Sequence, residues 1–418
     1  MKKSVLLFVS ILVFQLAFFT GAIAQQKKLT VLYTNDLHAH FEPQIVPWAD
    51  KTRPIGGFAN IATVVKREKA ANPNTVYFDA GDFFAGPYVS SLTRGEAVID
   101  AANLEALQRE IGAARTLSQG RGLLAVNVMR AVAEYAPSVR TALEAGIDAV
   151  VVGAGLPLDL PDLARDHPKA LLVPILSDAR GVSLVIKKWE RKQRLPDAIV
   201  IEHPRHAGGH LGAARVEDLG DARFEFERVL PDVIAFLRSA GVEREVPLIA
   251  AGGVRSHEDI ARLQSLGAAA VQLGTPFVAT EECDAHPEFK RVLAEARDDE
   301  VVEFTSVAGL PARAVLTPWL KRYLDALPRL QQTVHKKARC TLAFDCLAQC
   351  GLRDGLPGWG QFCIDQRLAA ALRGEVAKGL FFRGAGALPF GTHIATVRQL
   401  IERLLTPGVP LGTPPAAV

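Results

Sequence analysis

The chain has no run of lysines and arginines interleaved with aromatic residues, so the simplest nucleic-acid reading has no footing. Its net charge is only +3 over 418 residues, too little to draw a polyanion to a dedicated face. Hydrophobic residues at 49% and charged residues at 22% leave wholesale disorder without support. Beyond residue 24 no stretch is apolar and long enough to cross a bilayer, so no membrane span is expected after cleavage of the leader. Cysteine is scarce as well, with five residues (Cys283, Cys340, Cys346, Cys350 and Cys363), and an odd count argues against a complete disulfide framework. Four of them cluster late without any C-x-x-C pair, which ranks a zinc site below pairing in an oxidising compartment.

The start of the chain has a character of its own. Lys2 and Lys3 precede an apolar run from Val5 to Phe19, and small residues follow, ending Ala22-Ile23-Ala24. That order matches the charged, apolar and cleavage regions of a secretory signal peptide. Export, to the periplasm, is expected, and the fold reading begins at Gln25.

Residues 29–34 read as a buried strand, Gly56-Gly57 opens a helix running to about 71, and residues 75–80 read as a second strand. From residue 103 the rhythm becomes regular. Helices at 103–117, 132–145, 178–191, 224–239 and 256–266 alternate with short apolar strands at 123–128, 149–154, 171–176, 198–202, 247–251 and 270–273. Near-continuous apolar strands separated by helices predict a parallel sheet covered on both faces. The fold class is therefore α/β, an incomplete (β/α) barrel, since a full barrel needs about eight strands and only six are recognisable. A β-α-β piece precedes it. Beyond Leu316 the pattern turns helical and irregular.

Two glycine turns end consecutive strands late in this series. Ala251-Gly252-Gly253 is followed by Ser256 and Asp259, which fit a helix capping box, and Gln272-Leu273-Gly274-Thr275 ends the last strand. Glycine lets backbone approach a ligand, and a helix start offers N–H groups to an anion, so this end predicts a phosphate site. The strand ending at Glu202 leads into a loop with Ala207-Gly208-Gly209-His210, where a histidine near the carboxyl end of a barrel strand can remove a carbon-bound proton.

The segments Gly122 to Met129, Gly153-Ala154-Gly155-Leu156-Pro157, Ala207-Gly208-Gly209-His210, Ile249 to Ile260 and Gln272 to Asp284 resemble the nitronate monooxygenases, over about 103–405. That family is an FMN-dependent barrel oxidising alkyl nitronates with oxygen. The resemblance implies FMN, a small nitronate or nitroalkane substrate and oxygen as partners. It implies Asn127 near the flavin ring, Glu202 and Gly208 beside the cofactor, and Gly253, Gln272, Leu273, Gly274 and Thr275 at its phosphate. His210 would be the catalytic base. The loop between Glu202 and Ala207 departs from the pattern by adding His203, Arg205 and His206.

Residues 29–100 are similar instead to the start of 5′-nucleotidase-type metallophosphoesterases, through Thr34-Asn35-Asp36-Leu37-His38-Ala39-His40 and Asp79-Ala80-Gly81-Asp82. This resemblance implies residual divalent-metal binding at Asp36, His38 and Asp82. The set is incomplete, because no Asn-His pair or Gly-His-x-His follows. The expected organisation is signal peptide 1–24, phosphoesterase-like fragment 25–101, flavin barrel 102–316 and helical extension with tail 317–418. The expected function is flavin-dependent nitronate oxidation. The alternatives are an exported phosphoesterase remnant and an inactive fusion of two incomplete enzymes joined near residues 100–102.

Overall fold

A computed structural model describes residues 30–34, 44–46, 50–55, 58–71, 75–79 and 96–414, apart from 335–339 and 341–344. The expected signal peptide and the candidate ligands Asp36, His38 and Asp82 lie outside these residues. The backbone divides into two compact units, Met1–Ile99 and Asp100–Val418. Among the described residues no helix is long and apolar enough to cross a membrane.

In the first unit, strand β1 (Thr30–Thr34) is followed by β2 (Gln44–Val46), β3 (Asp50–Ile55), helix α1 (Phe58–Ala71) and β4 (Thr75–Asp79). β1 pairs in parallel with β4, from Thr30 opposite Thr75 to Thr34 opposite Asp79, as the β-α-β reading expects. The antiparallel pair β2–β3 was not expected. Its Asp-Lys-Thr-Arg-Pro-Ile strand lacks the apolar alternation that marks a strand in sequence.

Helix α2 (Glu96–Ser118) runs without a break through residues 100–102. The second unit then alternates β5 (Ala125–Met129), α3 (Tyr135–Glu144), β6 (Ala149–Gly153), α4 (Leu160–Leu163), β7 (Leu171–Leu176), α5 (Ala179–Glu190) and β8 (Ile199–Glu202). After the short β9 (Gly209–His210) come α6 (Phe226–Ser239), β10 (Leu248–Ala251), α7 (His257–Ser265), β11 (Ala270–Gln272) and α8 (Thr275–Val278). The six expected strands form one parallel sheet in the order β5-β6-β7-β8-β10-β11.

The two-residue period of the strands assigns their faces. Val128, Val150, Val152, Leu172, Leu176, Ile199, Ile201, Leu248 and Ala250 pack outward with Val139, Val182, Ile186, Trp189 and Leu230 of the helices. Val151, Val173, Ile175, Val200, Ile249 and Ala251 make a separate inner cluster. Both faces are apolar, which explains why the strands read as continuous hydrophobic runs.

Carboxylates secure the amino ends of two strands. Asp148 Oδ2 accepts from the Leu124 N–H (2.7 Å) and from Arg115 (2.8 Å), and Asp197 Oδ2 accepts from the Leu172 N–H (2.7 Å) and from Arg194 (2.5 Å). The Leu124 hydrogen bond, then that of Arg115, holds the Asp148 carboxyl below its ordinary range. These contacts lie at the end of the sheet away from ligand chemistry and serve its stability.

After α9 (Pro287–Glu295) the chain adds β12 (Val301–Thr305) and β13 (Pro311–Val315), an antiparallel hairpin absent from the sequence reading. β13 also pairs with β9, setting Ala312 opposite His210 and Arg313 opposite Gly209. Helices α10 (Pro318–Gln332), α11 (Gly351–Asp354), α12 (Ile364–Leu372) and α13 (Val397–Leu405) complete the expected helical C-terminal part.

Candidate functional site

Strand alternation turns three polar residues toward the inner face. Asn127 stands opposite Val151 on β5, Glu202 follows Val200 on β8, and Gln272 ends β11. Glu202 and Gln272 line a cavity of about 540 Å³ at the carboxyl ends of the strands, a volume suited to a cofactor. Ala207 to Gly209, Gly252 to Arg255, Leu273 to Thr275 and Phe382 to Ala385 complete most of its wall. Asn127 lies on the edge strand, is exposed, and lines neither this cavity nor the smaller one beside it. The structure therefore does not bring Asn127 together with the other expected flavin contacts.

Gly252 (φ +98°) and Gly253 (φ +76°) both occupy the left-handed region, so the turn after β10 depends on glycine. Ser256 and Asp259 form the expected capping box. Its Asp259 carboxylate accepts from the Arg255 N–H (2.9 Å) and the Ser256 N–H (3.2 Å), while Ser256 Oγ accepts from the Asp259 N–H (3.2 Å). The cap thus takes the N–H groups of Arg255, Ser256 and Asp259. The Gly252–Gly253 turn, the Arg255 guanidinium and the Gly274–Thr275 turn are the parts of this wall left for a phosphate. Arg255 is oriented by its Nε–H, which donates to the Gly253 carbonyl (3.2 Å), and by Asp259 at 3.8 Å.

Gly208 is fixed by close backbone approach. A Cβ there would lie 2.5 Å from the Gly384 nitrogen and 2.6 Å from the Arg383 carbonyl carbon. The same segment is tied down by the Ala385 N–H donating to the His206 carbonyl (3.1 Å) and the Gly384 N–H donating to Thr275 Oγ1 (3.1 Å). Residues 382–385 thus join the loop after β8 to the turn after β11. The alternating Gly384-Ala385-Gly386 was the one signal in the sequence that could have marked this third glycine segment.

His210 lines the second cavity, of about 230 Å³, together with Glu202, Ser177, Gly155 and Leu310. Its Nε2 is 2.9 Å from Ser306 Oγ, on the β12–β13 turn, and its ring packs 5.5 Å from Phe382. Burial pushes the imidazole down to about 4, so it is neutral across the physiological range. Glu202 moves the other way: burial raises its carboxyl to about 7, against the Gly212 N–H and the charge of Arg313. Ser177 Oγ is buried and has no hydrogen-bond partner among the described residues.

Arg313 holds this arrangement in place. Only 1% exposed, it donates through Nη1 to the carbonyls of Pro204 (3.0 Å) and Ala207 (2.5 Å), and through Nε and Nη2 to Glu303 (2.9 and 2.8 Å). Neither Arg313 nor Ser306 was singled out in the sequence, because both sit on a hairpin that carries no motif. The added loop residues divide in role. His203 is buried against Glu225 (3.2 Å) and Phe226, whereas His206 lines the cavity over Gly253. Burial, then His203 and Arg255, push His206 down to about 4, and the cations of this wall are Arg255 and Arg383, the latter donating to the Leu293 and Gly384 carbonyls.

The family profile for nitronate monooxygenase matches residues 102–407. The chain belongs to the nitronate monooxygenase family. A probable nitronate monooxygenase of Bacillus subtilis is 31% identical over 123 residues, covering 29% of this chain and 33% of that protein. A nitronate monooxygenase of Pseudomonas aeruginosa is 31% identical over 119 residues, covering 28% and 31%. The matches span about a third to a half of the length of the curated relatives. Among solved structures, FabK from Thermotoga maritima aligns with a TM-score of 0.55 at 22% identity, over 72% of this chain and 80% of that one, a likeness of fold. The six-strand sheet is accordingly the half-barrel of a TIM-barrel-like fold.

Gly208→Ala tests the cofactor wall. The added methyl meets backbone on both sides, so the variant is expected to lose at least tenfold in affinity for a cofactor in the larger cavity, about 1.4 kcal/mol. Equal retention by equilibrium dialysis would show that the 208–384 approach does not shape that cavity.

Proposed function

We propose that this protein is an FMN-dependent oxidoreductase that oxidises alkyl nitronates with oxygen. One observation carries the reading. Two adjoining cavities share Glu202; one is walled by glycine turns and Arg255, the other by His210 and the unpartnered Ser177 hydroxyl.

The larger cavity fits FMN in chemistry and size. Backbone at Gly252, Gly253, Gly274 and Thr275 would hold the phosphate, with Arg255 supplying the positive charge. Gly208, packed directly on the 383–384 backbone, lines the same cavity and would sit beside the cofactor. Leu273 and Gln272 line the same wall. When bound in this cavity, FMN would supply the acceptor for the substrate's electrons and their route to oxygen.

In the smaller cavity, neutral His210 takes the proton alpha to the nitro group. The Ser177 hydroxyl, which lacks a protein partner, donates to a nitro oxygen. An ionised Glu202 favours the imidazolium that forms on His210. Export through the leader at residues 1–24 belongs to the same proposal. N-terminal sequencing of the secreted chain is expected to begin at Gln25, and an intact Met1 would contradict it.

Glu202 is charged above about pH 7 and neutral below, whereas His210 stays neutral down to about pH 4. For a neutral nitroalkane, kcat/KM is therefore expected to rise with pH through about 7, and Glu202→Gln to remove that limb. His210→Ala is expected to lower kcat/KM for the neutral nitroalkane by about 10²–10⁴-fold, with a preformed nitronate much less affected. Undiminished turnover of the neutral substrate by His210→Ala would remove the assignment.

A further inference from the structure

The cation placed at the cofactor's phosphate is already partly neutralised. Arg255 faces Asp259 at 3.8 Å, whereas a phosphate monoester carries a charge of about −1.5 to −2 at neutral pH. Further donors are needed beside that guanidinium, and the C-terminal segment of the cavity wall is where they lie.

This segment is tied down residue by residue as far as Ala385. The Arg383 N–H donates to the Arg313 carbonyl (3.4 Å), and its buried guanidinium donates to the carbonyls of Leu293 (2.8 Å) and Gly384 (3.0 Å). The Gly384 N–H donates to Thr275 Oγ1 on the turn after β11, and the Ala385 N–H to the His206 carbonyl in the loop after β8 (3.1 Å each). The pattern then changes. The N–H groups of Gly386 and Ala387 have no partner among the described residues. Gly386 is left-handed (φ +80°), and a Cβ there would lie 2.6 Å from Arg255 Nη1. Ala385 and Ala387, on either side of it, line the larger cavity together with Arg255. Unspent N–H groups about a left-handed residue are the backbone pattern of an anion-binding nest. Here that pattern lies directly against the guanidinium.

We propose that Gly386 and Ala387 complete the phosphate site of the cofactor cavity. Their N–H groups donate to phosphate oxygens, and the bare Cα of Gly386 seats the Arg255 guanidinium. The inference rests on the FMN reading above and extends it, because the C-terminal segment then supplies one side of a site whose other side is the turns after β10 and β11. Such donors favour an oxygen-rich anion over the neutral hydroxyl that ends the same flavin without its phosphate. The effect also reaches the second cavity. Gly208 packs on the backbone of Arg383 and Gly384, so a phosphate held at 386–387 steadies the loop that carries His210.

The test compares FMN and riboflavin on the full-length, flavin-free chain by fluorescence titration, for the parent and for Gly386→Ala. The added methyl meets the far end of a flexible side chain, so it moves the guanidinium before it moves the fold. FMN affinity is expected to fall at least tenfold in the variant, with riboflavin affinity within twofold of the parent value. Amide hydrogen exchange on the parent chain gives a second readout that needs no variant. FMN is expected to slow exchange at Gly386 and Ala387 at least tenfold, and riboflavin to leave it unchanged. If Gly386→Ala fails to fold, the exchange measurement decides. An undiminished preference for FMN in the variant, an equal loss of both flavins, or the same exchange with FMN as with riboflavin would overturn the proposal while leaving the FMN reading intact. A parent chain that does not distinguish the two flavins would remove the FMN reading itself, and this inference with it.

Discussion

The guanidinium of Arg313 is the contact on which the candidate site depends. Removed from water on β13, it has to satisfy its N–H groups within the fold, and it does so on Glu303 and on the carbonyls of Pro204 and Ala207. Those carbonyls belong to the loop that carries Gly208, Gly209 and His210. Leaving either side of such a buried contact unpaired costs about 3 kcal/mol or more. The loop is therefore locked to the hairpin, and the hairpin turn presents Ser306 to His210. Placement of the proposed base is a consequence of one satisfied charge.

From that anchor the two cavities follow. The loop's backbone passes so close to residues 383–384 that only glycine fits at position 208. The C-terminal segment thus closes the wall opposite the Gly252–Gly253 turn. Glu202, on the inner face of β8, lies at the boundary of both cavities. Its buried carboxyl and the buried imidazole of His210 shift in opposite directions, each toward its uncharged form, as desolvation requires.

Much of this was legible in the sequence, for identifiable reasons. Apolar runs bounded by glycine and helix caps located all six parallel strands to within a few residues, because a strand buried on both faces leaves little room for other residues. The Ser256–Asp259 cap and the glycine turns were visible for the same local reason. What escaped was non-local. The β12–β13 hairpin has no motif, and Arg313 looks like any surface arginine until its partners more than a hundred residues away are known. Asn127 has the expected strand position and inner face, but whether its strand lies inside a sheet or on its edge is a property of the whole sheet.

The central claim is that this half-barrel retains a phosphate-holding end, made by Gly252, Gly253, Arg255 and the Gly274–Thr275 turn, for a phosphorylated flavin. The most direct measurement compares the binding of FMN and riboflavin to the flavin-free chain, since the two ligands differ only in the phosphate. FMN is expected to bind at least tenfold more tightly, with the advantage shrinking in Arg255→Ala. Equal affinity for the two, or binding of neither, would contradict the account.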